Sequence, residues 1–298
     1  MTQSDPQAPL RDFEGKHEFF VGIDSDGCAF DTMEIKHKEC FIPNTIKYWH
    51  LQPVSKYARA AAEFVNLYSK WRGINRFPAL MKVFELLRDW PEVQKRNVDI
   101  PYPKEIQDFI ESDLPLGNPA LEKLVADTGD AVLKQTLDWS QAVNATVADM
   151  VHDVPPFPNV RESLSKLSGF ADMIVVSATP NEALEREWKE HGIDEFVAVI
   201  AGQEMGKKSE HLALAAGDRY PSDRILMIGD APGDMKAARA NGALFYPVKP
   251  GHEEESWEFF VNEAIDIFRA GEYAGPYEAR LIEEFEAVLP EIPPWKQR

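Results

Sequence analysis

An α/β fold is predicted here: a core built on a parallel sheet, split by a long, mostly helical insertion and followed by C-terminal helices. Three features of the 298-residue sequence carry the prediction. Short apolar, strand-forming runs alternate with helical patterns between residues 160 and 240, as parallel βαβ units require. One more such run stands alone near the start, separated from the others by more than a hundred residues of mostly helical character. Polar, chemically active residues follow these runs, where open parallel sheets collect ligands.

Glu18–Ile23 (EFFVGI) reads as a buried strand that delivers Asp24 and Asp26 into a glycine-containing turn. The insertion follows, with helices expected over Ala58–Trp71, Leu80–Trp90, Lys104–Glu111, Leu121–Ala126 and Thr128–Val143. Pro91, Pro101, Pro103 and Pro115 are among its breaks. Val154-Pro155-Pro156-Phe157-Pro158 is the clearest linker-like stretch. Beyond it, strands are expected over Met173–Val176, Phe196–Ile200 and Ile225–Ile228. Helices are expected over Val160–Leu167, Glu182–Glu190, Ser209–Ala216 and Gly233–Ala240. Glu253–Phe268 and Tyr277–Leu289 read as two final helices. The predicted organisation is a discontinuous core of residues 16–32 and 155–250, a helical domain 33–154 and an extension 251–298.

The chain carries 50 Asp+Glu against 32 Lys+Arg, a formal charge of −18. This balance argues against nucleic acid or an anionic membrane as partner, because both reward basic patches. Two cysteines are too few for a disulfide framework, and no apolar leader or long apolar run is present, so a cytoplasmic protein is expected. The charge is uneven: Lys36–Lys104 holds 13 Lys+Arg and 6 Asp+Glu, whereas His252–Arg298 holds 4 and 12. The basic run is either a solvated face or a surface for an anionic ligand.

Four signals converge at strand ends: Asp24 with Asp26, Ser177, the Gly206-Lys207-Lys208 turn, and Asp230 with Asp234. A lone Asp after a strand is commonly a helix cap or turn former; the coincidence is what points to a site. Like charges about 4 Å apart repel by about 4 kcal/mol at an effective dielectric near 20. Four gathered carboxylates therefore need a cation or a proton. Oxygen donors without nearby His or Cys select Mg²⁺ over zinc, and Mg²⁺ would reconcile this acidic site with a phosphate substrate.

These residues resemble the haloacid dehalogenase (HAD) superfamily of hydrolases, whose fold is a Rossmann-like core with an optional inserted cap. Asp24-Ser25-Asp26-Gly27-Cys28-Ala29-Phe30-Asp31 is similar to that family's first motif, DxDGTxxD, with Cys28 in place of the commoner Thr. Val175-Val176-Ser177 resembles the second. Lys208 in GKKSEHL resembles the third-motif lysine, with Lys207 as the neighbouring alternative. Gly229-Asp230-Ala231-Pro232-Gly233-Asp234 resembles the fourth, GDxxxD. The four occur in order over roughly residues 19–248.

The resemblance implies a Mg²⁺-dependent phosphatase acting on a small phosphorylated metabolite, with a sugar phosphate as one candidate class. Asp24 would be the nucleophile and Asp26 the acid/base, while Ser177 and Lys208 would bind the phosphoryl oxygens. The metal would take Asp24, the Asp26 carbonyl and Asp230, with Asp234 as a further ligand or orienter. It also implies that residues 33–154 form a helical C1 cap that selects the substrate. There, Arg72, Asn75 and Arg76 in SKWRGINRF, and Lys36 with His37, are candidate substrate contacts; a helix cap with solvated charges is the competing reading. Cys28 reads as a packing thiol and Thr179 as a helix cap. A phosphomutase of the same superfamily and a non-catalytic phosphate-binding protein are the alternatives. Dehalogenation is disfavoured because it has no need of Asp26. The sequence does not fix the oligomeric state.

Overall fold

The structure, a computed structural model, describes residues 5–296. Five strands form one parallel sheet: β1 (Phe19–Ile23), β2 (Ala171–Val176), β3 (Val199–Ala201), β4 (Ile225–Gly229) and β5 (Leu244–Pro247), in the order β3-β2-β1-β4-β5. β1 is central, pairing Val21 with Met173 on one side and Leu226 on the other. Every residue of β1, β2, β4 and β5 is buried, as expected of strands covered on both faces.

The pleat divides the core in two. Phe19, Val21 and Ile23 face Val160, Leu164 and Leu167 of helix Val160–Leu167, together with Trp188, Trp257, Phe260 and Phe268. Phe20, Ile174, Val176 and Met227 face the opposite cluster, with Leu10, Leu212, Ala215, Ala237 and Phe285. The C-terminal residues are thus shared between the faces. The helical run from Glu253 to Arg269, interrupted by a π-turn at Phe260–Ala264, covers the first, and helix Pro276–Ala287 covers the second.

Contacts divide the chain into two units: Met1–Thr32 with Asp153–Pro290, and Met33–His152 with Glu291–Arg298. The residues expected as one extension, 251–298, are therefore split, the last few packing in the helical unit. That unit has its own core, in which Ala58, Ala61 and Val65 of Ser55–Asn66 meet Leu80, Phe84 and Leu87 of Arg76–Arg88, Phe109, and Leu133 and Leu137 of Ala131–Met150. No helix among the described residues is long and apolar enough to cross a membrane.

Some elements differ from expectation for local reasons. Residues 32–48 are helical although no helix is expected there; a π-turn at Lys36–Phe41 and Pro43 disturb the 3.6-residue period. Gly129, at φ 66°, ends Asn118–Thr128, and Asp130 starts Ala131–Met150 by accepting from the amides of Val132 and Leu133. β5 is short and ends in proline, so it reads as a loop. The linker-like Pro-rich stretch is ordered, with Phe30 bridging Pro156 and the Phe157 N–H donating to the Ala29 carbonyl at 2.9 Å.

Candidate active site

Asp24 continues β1: its N–H donates to the Ile228 carbonyl of β4 at 3.0 Å, which fixes its backbone in the ladder. The chain then turns back tightly. Ala29 and Phe30 N–H groups both donate to the Ser25 carbonyl at 2.9 and 3.0 Å, and Gly27, at φ 74°, supplies the left-handed residue. Ser25 is anchored in the core, its Oγ accepting from Trp188 Nε1 at 3.0 Å and donating to Glu187 Oε2 at 3.2 Å. Asp26 is held by two hydroxyls: Thr32 Oγ1 donates to Oδ1 at 2.5 Å and Thr179 Oγ1 donates to Oδ2 at 2.6 Å.

The other residues arrive from neighbouring strand ends. Ser177 follows β2, is buried, and is fixed by its N–H to the Ala201 carbonyl at 2.9 Å. Lys208 opens helix Lys208–Ala215, and its Nζ lies 2.8 Å from Asp24 Oδ2 and 2.6 Å from Asp234 Oδ1. Lys207 is exposed and precedes the helix, its N–H donating to Glu210 Oε2 at 2.7 Å, so of the two lysines it is Lys208 that pairs with these carboxylates. Asp230 follows β4. Asp234 sits in the first turn of Pro232–Ala240, where its Oδ2 accepts from the Ala231 N–H at 3.0 Å. A Cβ on Gly229 would lie 2.3 Å from the Asp234 Cβ, so only glycine allows this approach.

Carboxylate oxygens of Asp24, Asp230 and Asp234 lie within 4.8 Å of one another, and all three residues are buried. Burial pushes the Asp24 carboxyl well up, and Asp234 and Asp230 push the same way; Lys208 opposes them. Lys208, drawn on by Asp234 and Asp24 against its own desolvation, is held firmly protonated. Asp24 and Asp234 share the one ammonium of Lys208, with Asp230 close beside them. An all-oxygen, buried donor set of this kind fits a hard divalent cation such as Mg²⁺. Asp26 is not in that set through its side chain, both oxygens of which accept from threonines.

Thr179 does not cap the following helix, whose N-terminal residue Pro180 makes no side-chain capping bond. The sequence marks Thr179 only as a helix cap and does not mark Thr32, since their partner Asp26 is a tertiary neighbour of one and six residues from the other. Cys28 is buried and its thiol is pushed well up by desolvation, as a packing residue should be.

The candidates in the helical unit are not gathered in this way. Arg72 is buried, with Nη1 donating to the Leu67 carbonyl at 2.8 Å. Asn75 caps helix Arg76–Arg88, accepting from the Phe77 N–H at 3.0 Å, and donates to the Leu116 carbonyl at 2.9 Å. Arg76 Nη1 donates to the Ser140 carbonyl, Ser140 Oγ and Asn144 Oδ1 at 3.1, 2.9 and 2.7 Å. Lys36 opens the π-turn.

The family model described as haloacid dehalogenase-like hydrolase matches residues 94–248, just over half of the chain, including Ser177, Lys208, Asp230 and Asp234. The chain belongs to this family. The haloacid dehalogenase-like hydrolases place it among enzymes, as a hydrolase. The parallel sheet, with acidic residues after β1 and β4, is the core expected of it. Many solved structures are similar, among them the following three. A haloacid dehalogenase-like hydrolase from Streptococcus pneumoniae shares 16% identity over 84% of this chain and 98% of its own, with a TM-score of 0.47. A family hydrolase from Xanthomonas campestris shares 12% over 87% and 95%, with a TM-score of 0.45. A protein described as a predicted phosphoglycolate phosphatase from Haemophilus somnus shares 16% over 78% and 86%, with a TM-score of 0.39. A search of curated proteins finds no match.

His211 lies one turn beyond Lys208 and is fully buried. Burial, then the Lys208 charge, lowers its pKa from 6.5 to about 4. The unfolded imidazole takes a proton near pH 6.5 and the folded one does not until about pH 4. The stability from keeping it neutral is therefore complete above pH 6.5 and lost as pH falls towards 4, at most about 3 kcal/mol. His211→Leu should flatten the urea-unfolding stability profile between those pH values. An unchanged slope would show that His211 does not contribute to it.

Proposed function

We propose that this family member is a Mg²⁺-dependent phosphatase that hydrolyses a small phosphomonoester through an aspartyl-phosphate. The observation that carries the reading is the shared lysine: Lys208 joins Asp24 to Asp234 while Asp26 is oriented beside them by Thr32 and Thr179. This gives a nucleophile whose ionised form an adjacent cation favours against the opposing pull of burial, and a second, separately held carboxyl for proton transfer.

In the first step an Asp24 oxygen attacks phosphorus, the bond to the leaving oxygen breaks, and Asp26 gives that oxygen its proton. Protonated Asp26 keeps both threonine partners because a hydroxyl can turn from donor to acceptor. In the second step Asp26 takes a proton from water, whose oxygen bonds to phosphorus as the acyl-phosphate P–O bond breaks. Asp24 is thereby restored and inorganic phosphate leaves. Lys208 and Ser177 hold phosphoryl oxygens through both steps. Asp24, the Asp26 carbonyl and Asp230 would hold Mg²⁺, which supplies charge neutralisation and Lewis acidity. Asp234, its two oxygens taken by Lys208 and the Ala231 N–H, orients the lysine.

For the substrate, Arg76 is the most telling helical-unit candidate. Its three hydrogen-bond acceptors are neutral, and burial alone lowers its pKa to about 10. A guanidinium desolvated without a carboxylate suits an anionic group on the substrate. The test is phosphate release from phosphomonoesters with and without a second acidic group. Release that needs Mg²⁺, stops on chelation and favours the acidic members is expected. No release from any member by intact, folded protein would reject the phosphatase reading, and indifference to the second acid would reject the role of Arg76.

A further inference from the structure

The chain passes between its two units at three places: Thr32 to Met33, His152 to Asp153 and Pro290 to Glu291. The first two crossings are reached by segments that touch, joined by the isolated Phe30–Pro156 bridge and the Phe157-to-Ala29 hydrogen bond. Paired linkers of this kind act as one hinge, about which two bodies can swing.

The third crossing leaves from a different element. Helix Pro276–Ala287 is fastened to the sheet unit: Phe285 and Leu289 are buried there, Glu278 accepts from the Phe245 N–H at 2.8 Å, and Glu284 pairs with Lys249 at 3.0 Å. Next comes Pro290-Glu291-Ile292-Pro293-Pro294, three prolines in five residues that restrict the backbone, leading into a short turn at Pro294–Lys296. Trp295 then stacks on Trp90 of the helical unit, with ring centroids 4.0 Å apart and planes at 6°, and meets Phe64 edge-on at 5.6 Å. Ion pairs flank it, Lys70 with Glu291 at 2.5 Å and Lys296 with Asp89 at 3.1 Å.

The rings that receive Trp295 are already packed without it. Trp90 has Tyr57 at 5.0 Å and Phe64 has Trp71 at 5.9 Å, both within the helical unit. The C-terminal residues thus add to a finished core, and the flanking ion pairs are exposed and individually weak. We propose that the C-terminal segment is a strap, a proline-stiffened third crossing clipped into the helical unit through Trp295, which limits swinging about the paired linkers. Its release leaves both cores intact and frees the hinge.

Hydrogen exchange on the full chain, on a variant ending at Pro290 and on Trp295→Ala tests this. In both variants the amides of residues 29–33 and 152–157 should exchange at least about fivefold faster. Those of β1, Ser55–Asn66 and Arg76–Arg88 should keep their wild-type rates, and Trp295→Phe, which retains a ring on Trp90, should restore slow exchange. Wild-type rates at the linkers in both variants would overturn the proposal. So would loss of protection throughout the helical unit, because the segment would then be part of that unit's core.

Discussion

Asp24→Asn is expected to abolish turnover, lowering kcat by roughly 10⁴-fold or more, as loss of a nucleophile does when its partners act as a unit. The fold should survive. The amide is isosteric, the Asp24 main-chain bond to Ile228 does not involve the side chain, and burial already disfavours a charge at this position. Substrate binding should survive in part, since Lys208 and Ser177 remain. Phosphate-release kinetics on the variant, with thermal unfolding as the control, check this; a variant that folds and keeps near-wild-type kcat would remove Asp24 from the chemistry.

Lys208→Met should damage both activity and stability. Without the ammonium, Asp24 and Asp234 are left as uncompensated buried acids, and breaking a buried ion pair from one side costs about 3–5 kcal/mol. Turnover should fall by about 10²- to 10³-fold or more, the scale for losing one preorganised electrostatic contact. The double variant Lys208→Met with Asp234→Asn separates the effects. Removing the stranded acid should recover much of the stability measured by urea unfolding while leaving turnover low. Recovery of both would mean that Lys208 serves only to balance Asp234.

The gathering of the candidate residues was legible in the sequence where each is tied to a strand end. Asp24, Ser177 and Asp230 each follow a buried apolar run, and a parallel sheet brings such positions to one edge whatever the chain between them does. Lys208 was separable from Lys207 only by resemblance; in the fold the first helical residue reaches the carboxylates and its predecessor stays exposed. Thr32, and the bond from Thr179 to Asp26 in place of the expected helix cap, escaped because a hydroxyl that orients a distant carboxylate has no pattern of its own. Residues 32–48 escaped because the π-turn at Lys36–Phe41 shifts the apolar phase. The division of the C-terminal residues between two faces and two units was hidden too, since the pairing of Trp295 with Trp90 spans the length of the chain.

The most direct test of the account is mass analysis of acid-quenched protein after mixing with p-nitrophenyl phosphate and Mg²⁺. The account predicts one phosphoryl group on the peptide containing Phe19–Cys28, located on Asp24, released by hydroxylamine as acyl phosphates are, and accumulating where Asp26→Ala blocks its hydrolysis. Phosphate release with no phosphoryl group on Asp24 in either protein, or with the group on another residue, would contradict it.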